Sequence, residues 1–126
     1  MEWEYGMVCE HDVIDFIKNN IFEYAKLNDS DIANIVLEHI KYGTYDEMRH
    51  NGKIIAVVRY NIDGPTAEIL DLIIAPGYNS LYIMRRFIVR GWTRFPYLRF
   101  VSYYRGYKRP QRRLAILSIK KLLRVK

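Results

Sequence analysis

The apolar residues in the first third of the chain recur every three to four positions, which is the spacing of one helix face. Asp12, with Asp15 three residues later in capping-box spacing, predicts the start of a first helix. Residues 28–30 break that helix and cap a second one, which stops at Gly43. The two predicted stripes are Val13, Ile14, Ile17, Ile21, Tyr24 and Ala25, then Ile32, Ile35, Val36, His39 and Ile40.

The period then changes from helical to extended. The dipeptides Asn51-Gly52 and Asp63-Gly64 are strong hairpin signals, because a type I′ turn needs a positive φ at both central residues. They predict an antiparallel meander of three strands. Its bounds are about 44–50, 53–62 and 66–75. The third strand, AEILDLIIA, is nearly all apolar, so we expect it to be central and covered on both faces.

A third helix is predicted over 80–94, with Ser80 as its cap and Pro96 forcing its end. Its apolar stripe is predicted to be Leu81, Met84, Ile88 and Trp92, with Arg85, Arg86 and Arg90 largely on the other side. A strand is predicted over 97–104. Residues 113–126 fit either a helix or a strand followed by a helical turn.

These elements predict a mixed α/β (α+β) fold. The step from strand 66–75 through helix 80–94 to strand 97–104 is a β-α-β crossover, so the two strands are parallel if they are neighbours. The chain has 126 residues, half of them hydrophobic. Such a chain predicts one domain, 1–126, with a basic C-terminal segment over about 105–126.

Charge divides the chain into two unequal halves. Residues 1–71 hold six basic and 14 acidic residues, a net charge of −8, whereas residues 72–126 hold 14 basic residues and no acid. The basic half predicts a polyanionic partner, which is nucleic acid, a phosphorylated cofactor or an acidic protein surface. The alternative is that the acidic half folds against the basic half, so that much of the field cancels.

Several classes of protein find no support in the residues. No apolar run approaches the roughly 20 residues of a membrane helix, and the acidic start is unlike a signal peptide. Cys9 is the one cysteine, so a reducing, cytoplasmic location is expected. His11, His39 and His50 are scattered without the spacing of a zinc site, so no metal is expected. The chain also contains neither a P-loop nor a Gly-x-Ser-x-Gly motif.

The order of elements over residues 12–104 resembles the GNAT superfamily of N-acyltransferases, and by size and basic tail the chain is similar to short GNAT-like phage proteins. The closest local match is 68-EILDLIIAPGYNS-80, which resembles the central strand and elbow of that family. The resemblance implies acetyl-CoA as cofactor, with its pyrophosphate on backbone N–H groups of the elbow. The family elbow has further glycines, whereas this one has Gly77 alone. The implied cofactor-binding residues are Ile74, Gly77, Asn79, Ser80, Leu81 and Arg85.

Acyl transfer to an amine needs a base, and three carboxylates are candidates. Asp71 is the first, because alternation places it on one face with Ile69 and Ile73, where burial favours proton uptake. A structural Asp paired with an arginine would give the same pattern. Glu68, expected on the opposite face, is the second candidate, and Glu47 is the third.

The candidates for the acid that reprotonates the thiolate are Tyr103, Tyr104 and Tyr107, near where the family often carries a tyrosine, and Tyr104 is the predicted one. A rival hypothesis is a non-catalytic protein that binds nucleic acid or an acidic protein through its basic half, where arginines alternate with aromatic residues. The residues predicted for that role are Arg105, Lys108, Arg109, Arg112 and Arg113. Two function hypotheses therefore remain, a divergent acyl-CoA-dependent N-acetyltransferase and a polyanion-binding module.

Overall fold

The structure is a computed structural model that describes residues 10–20, 29–105 and 113–124. Three residues of the first predicted stripe, Ile21, Tyr24 and Ala25, lie outside the described residues, as do Tyr107, Lys108, Arg109 and Arg112. The elements in chain order are α1 (Glu10–Asn20), α2 (Asp29–Tyr42), β1 (Tyr45–His50), β2 (Lys53–Asp63), β3 (Thr66–Ile74), α3 (Ser80–Arg94), β4 (Phe100–Arg105), β5 (Arg113–Ser118) and α4 (Ile119–Arg124).

The five strands form one sheet in the order β1-β2-β3-β4-β5. Only the β3–β4 pair is parallel, which confirms the β-α-β crossover and the mixed α+β fold class. The first hairpin has positive φ at both Asn51 (54°) and Gly52 (77°), as a type I′ turn requires. In the second hairpin only Gly64 has a positive φ, which fits a type II′ turn instead.

Helices cover the sheet on both faces and enclose two separate cores. On one face α1 and α2 pack through Val13, Ile17, Ile32 and Val36 against β2 and β3. On the other face α3 and α4 bury Ile83, Phe87, Ile88 and Ile119 against the sheet. No helix in the described part of the chain is long and apolar enough to cross a membrane.

The predicted stripe of α3 was right at Ile88, which is buried, and at Met84 and Trp92, which pack against the same core, but it was wrong at Leu81. Ile83, Phe87 and Ile88 are the buried residues of this helix, whereas Leu81 is 49% exposed. Ile83 is fully buried. β3 is central as predicted, and its side chains pack into the cores on both faces of the sheet, with Ala67 and Ile73 buried and Leu70 37% exposed.

Several predicted boundaries shift by a few residues. α1 already begins at Glu10, so Asp12 lies inside the helix and accepts a hydrogen bond from Arg49 Nη1 (3.4 Å) rather than capping. β4 begins at Phe100, three residues later than predicted. At this point the N–H groups of Arg99 and Phe100 both donate to the carbonyl of Pro65, in the turn that precedes β3. The C-terminal segment is a strand followed by a short helix, the second of the two alternatives.

Candidate functional site

The parallel strands β3 and β4 pair over three residues and then part. The paired positions are Thr66 with Phe100, Ala67 with Val101, and Glu68 with Ser102. β3 continues for six residues beyond Glu68, to Ile74, and these have no partner in β4 among the described residues. The described parts of β3 and β4 therefore stop pairing at Glu68, and we call the unpaired stretch from there to the elbow at the end of β3 the cleft.

A β-bulge in β3 lies at the start of this cleft. Arg59 of β2 pairs with Asp71 and Tyr60 pairs with Ile69, so Leu70 is passed over. One extra residue shifts every later side chain to the opposite face and increases the local twist. Accordingly Ile69 packs in the core beside α3, whereas Ile73 packs in the core beside α1 and α2.

The bulge corrects the predicted placement of the two central carboxylates. Directly paired residues share a face of the sheet. Asp71 pairs with Arg59 and Glu68 pairs with Asn61, two residues further along β2. Both carboxylates therefore lie on the α1/α2 face. The expectation that Asp71 shares a face with Ile69, and that Glu68 lies opposite, was wrong because Leu70 interrupts the alternation.

Asp71 forms an ion pair with an arginine, the structural alternative considered from the sequence. Its Oδ2 accepts from Arg59 Nε at 2.8 Å and lies 2.7 Å from Nη2, and each side chain is 21% exposed. The pair borders a cavity of about 20 Å³ beneath α1 and α2, which has room for one water molecule. A catalytic role for Asp71 stays a prediction.

The third candidate, Glu47, belongs to a network at the far edge of the sheet. It is 2% exposed, accepts from Arg49 Nε at 2.7 Å, and accepts from the Tyr45 hydroxyl at 3.3 Å. Burial raises the pKa of Glu47 above its ordinary value, and burial also raises the pKa of Tyr45, assisted by the Glu47 carboxylate. Because β1 is two strands from β3, this network lies away from the cleft.

The elbow between β3 and α3 has few donors to offer an anion. Asn79, not Ser80, caps α3, because its Oδ1 accepts the Tyr82 N–H at 3.0 Å and its carbonyl accepts the Ile83 N–H at 3.1 Å. The N–H groups of Ser80 and Leu81 keep no partner within the helix. Gly77 has a φ of +89° with open space where a Cβ would lie, so a ligand can approach its backbone closely.

Arg85 lies on the flank of α3 that is turned away from edge strand β1. Arg90 pairs with Asp46 of edge strand β1 at 2.6 Å, which defines the opposite flank. Arg85 precedes Arg90 by five residues, or about 140° around the helix axis. Its Nε is buried and has no hydrogen-bond partner among the described residues, whereas the neighbouring Arg86 is exposed. A buried donor without a partner needs an explanation, and Arg49 Nη2 at the far edge of the sheet is a second such donor among the described residues.

The remaining predicted residues lie at the far end of the β4–β5 hairpin. Tyr104 pairs with Leu114 and Arg105 pairs with Arg113 through the backbone, and these side chains are outside what the structure describes. Ile74 ends β3 and packs against the core beside α3. The elbow residues thus lie at the upper end of the cleft, and Glu68 with Asp71 borders its lower end.

Sequence reasoning did not identify Arg59 as the partner of Asp71, nor His39 as the neighbour of Arg59, whose Nη1 lies 3.3 Å from His39 Nε2. Arg59 is the one basic residue inside the apolar run IIAVVRY. A cation in a buried strand needs a carboxylate partner, so that isolated charge was the available signal.

Comparison with known proteins shows the fold. No family model and no curated protein matches the chain. Among solved structures, a chimera of the spermidine N-acetyltransferase SpeG from Vibrio cholerae and hSSAT is similar over 98% of this chain and 99% of its own, with a TM-score of 0.67 and 14% identity. The chain has the GNAT fold.

Two further structures with the GNAT fold are similar at comparable distance. The PaiA N-acetyltransferase from Thermoplasma acidophilum, in complex with coenzyme A, matches over 88% of this chain and 82% of its own, with a TM-score of 0.61 and 13% identity. Aminoglycoside 6′-acetyltransferase type Ii matches over 82% and 71%, with a TM-score of 0.58 and 8% identity. The resemblance to the GNAT fold is thereby confirmed.

Proposed function

We propose that the chain is a divergent acyl-CoA-dependent N-acyltransferase whose site is the cleft between β3 and β4. The observation that carries the proposal is the parting of the two parallel strands after Glu68, directly below the elbow that leads into α3. One structure with this fold, the PaiA enzyme, holds coenzyme A. The parting of the strands thus supplies an opening. The N–H groups at the start of α3, at the upper end of this opening, are available to bind a ligand.

The residues of the elbow fit a pyrophosphate, though with fewer backbone donors than a glycine-rich elbow. The N–H groups of Ser80 and Leu81 point from a helix N-terminus, which favours an anion. The open side of Gly77 allows close approach. We assign the guanidinium of Arg85 to the negative charge of the pyrophosphate, in place of the additional backbone N–H groups of a glycine-rich elbow. When bound, acetyl-CoA would supply the activated acyl group.

The proton chemistry is assigned to the two strands that part, with Glu68 of β3 as the base and Tyr104 of β4 as the acid. Glu68 is half-buried at the last paired position, opposite the buried Ser102, and forms no ion pair within the described residues. We therefore assign it as the base that takes a proton from the amine as the N–C bond forms. As the C–S bond breaks, Tyr104 donates its proton to the thiolate and is reprotonated from solvent. Asp71 forms an ion pair with Arg59, so we assign it a role in holding the bulge of β3 in place and not in proton transfer.

The test of this function is acetyl transfer itself. Acetyl-CoA and the protein are incubated with an amine, and release of the CoA thiol is followed with a disulfide reagent. Spermidine is the first probe, because several structures with this fold are spermidine N-acetyltransferases. Thiol release that requires both protein and amine supports the proposal. Release no faster than without protein, over a panel of polyamines, amino sugars and peptides, contradicts it.

Arg85→Gln is expected to weaken acetyl-CoA binding by about 10- to 100-fold, the loss of one charge-assisted contact. The same variant should flatten the salt dependence of binding, because a screened cation–phosphate attraction is removed. Titration calorimetry at two salt concentrations measures both effects.

Arg86→Gln is the matched control for that experiment. It removes the same charge one residue away, from an exposed side chain on the other flank of α3. Its effect on affinity should stay within about threefold, as expected for an exposed charge. Equal losses for the two variants would mean that the general field of α3, and not a contact from Arg85, attracts the ligand.

A second candidate function is polyanion binding, and the distribution of charge favours it. The sheet separates the two pairs of helices. The helices α1 and α2, on one face, carry acidic residues, whereas the charged residues of α3 and α4, on the other face, are all basic. The exposed cations there include Arg86, Lys120 and Lys121. Among the described residues of α3 and α4, Arg90 alone pairs with a carboxylate, so little of the field is cancelled within the chain. A nucleic-acid backbone is the partner that fits such a face.

A further inference from the structure

A chain of polar contacts connects α2 to the β-bulge at the cleft. His39 of α2 is 8% exposed, and its Nδ1 lies 2.9 Å from Thr44 Oγ1 and 3.0 Å from the carbonyl oxygen of Tyr60. Its Nε2 lies 3.3 Å from Arg59 Nη1. Arg59 in turn holds Asp71, which follows the bulged residue Leu70 directly.

These contacts determine the protonation state of the imidazole. A carbonyl oxygen only accepts, so Nδ1 must carry the hydrogen that is donated to Tyr60. An arginine only donates, so Nε2 must be bare to accept from Arg59. His39 therefore matches its surroundings as the neutral Nδ1–H tautomer. A protonated ring would direct an N–H at a guanidinium N–H, with two positive charges 3.3 Å apart.

We infer that His39 is a positioning residue that holds Arg59 and Asp71 in place, and through them the bulge at Leu70, only while its imidazole is neutral. The inference rests on the proposed function in so far as the bulge borders the acyl-transfer cleft. Protonation of His39 removes the acceptor that Arg59 uses and repels the guanidinium. The Arg59–Asp71 pair is then free to move, and the start of the cleft loses its fixed geometry.

The groups that face His39 favour its neutral form. Burial lowers the pKa of His39 below its ordinary 6.5, and the Arg59 charge lowers the pKa further. The Tyr60 carbonyl and the charges of Glu38 and Asp71 raise the pKa, without reversing the shift. The unfolded chain therefore binds more protons than the folded protein as pH falls through 6.5. Stability contributed by His39 is complete above that pH and is lost below it.

Nitrogen NMR of the labelled imidazole tests this arrangement without any assay of activity. The wild-type protein should show the Nδ1–H tautomer at neutral pH and a pKa of His39 below 6.5. Arg59→Met should raise that pKa, because a repelling cation is removed. Asp71→Asn should lower it, because an attracting anion is removed. The Nε2–H tautomer, or pKa shifts of the same sign in both variants, would overturn the inference.

The pH profile of acetyl transfer tests its functional part. The wild type is expected to lose kcat as pH falls below 6.5, where His39 takes up a proton. His39→Gln keeps an oxygen that accepts from Arg59 and does not titrate, so this loss should disappear in the variant. His39→Leu offers no acceptor, so kcat should fall about tenfold at every pH, within the range that misplacement of a catalytic group costs.

The outcomes separate this inference from the proposed function. Absence of acetyl transfer in the wild type would contradict the proposed function, and the NMR result would still decide the arrangement of His39, Arg59 and Asp71. Transfer with a wild-type pH profile in both His39 variants would overturn the positioning role alone. Thermal unfolding of each variant at neutral pH, where all should remain folded, ensures that the profiles compare native proteins.

Discussion

Glu68→Gln is expected to lower kcat for acetyl transfer by about 10²- to 10⁴-fold, the contribution of a positioned general base. The amide is isosteric, so the pairing of Glu68 with Ser102 across β3 and β4 is retained. Binding of acetyl-CoA should therefore be unchanged by calorimetry. Stopped assays of thiol release over a range of amine concentrations separate the loss in kcat from any change in KM.

Asp71→Asn is the comparison that decides between the two carboxylates. In the structure Asp71 is occupied by Arg59, so this variant should reduce kcat less than Glu68→Gln does and should also shift the titration of His39. If Asp71→Asn abolishes transfer while Glu68→Gln retains it, Asp71 is the base and the assignment made here is wrong. Asp63→Asn, at the exposed second hairpin, provides a carboxylate control without an expected effect.

Ile83→Ala is expected to destabilise the protein by about 2–5 kcal/mol, because a fully buried side chain is truncated and the surrounding core closes incompletely over the cavity. Ile83 is 0% exposed at the centre of the α3 side of the sheet. Leu81→Ala, two residues earlier at a position that is 49% exposed, should change stability by no more than about 0.5 kcal/mol.

Urea unfolding of the two variants therefore determines which face of α3 is buried. Equal costs at both positions, or a larger cost for Leu81→Ala, would mean that the helix is rotated relative to the structure. The comparison matters for function, because the same rotation would move Arg85, which we assign to the pyrophosphate.

The sequence determined the elements wherever local chemistry decides them. Positive φ at Asn51 and Gly52 is a property of those residues, and the hairpin that it predicts is present. Gly43 likewise ends α2 with a φ of 73°. The order of helices and strands followed from such local signals, and the order alone was enough to indicate the GNAT fold.

The limits of the buried stripe of α3 were not determined locally, because apolar residues surround much of the helix. Met84, Ile88 and Trp92 of the predicted stripe pack in the core together with Ile83 and Phe87, whereas Leu81 is exposed. Which apolar residues are buried depends on tertiary contacts, among them the ion pair between Arg90 and Asp46 of β1. The cap of the same helix was displaced by one residue for a related reason, since Asn79 and Ser80 are both good caps.

The candidate site was less predictable than the fold, because it depends on a bulge that the sequence does not mark. Nothing in EILDLIIA distinguishes a regular strand from one in which Leu70 is passed over. A single inserted residue reverses the face of every later side chain, so Glu68 and Asp71 were assigned to opposite faces. The shared face became visible only through their partners in β2.

Calorimetric titration of the protein with acetyl-CoA, at low and at moderate salt, tests whether the elbow binds the cofactor. We expect saturable one-to-one binding. It should weaken with salt, because Arg85 contributes a screened charge, yet persist, because the backbone donors of the elbow also bind. Absence of binding, or binding that vanishes at moderate salt, would contradict this expectation. The elbow would then be a simple turn, and the basic face of α3 and α4 would be the expected binding surface, for a polyanion.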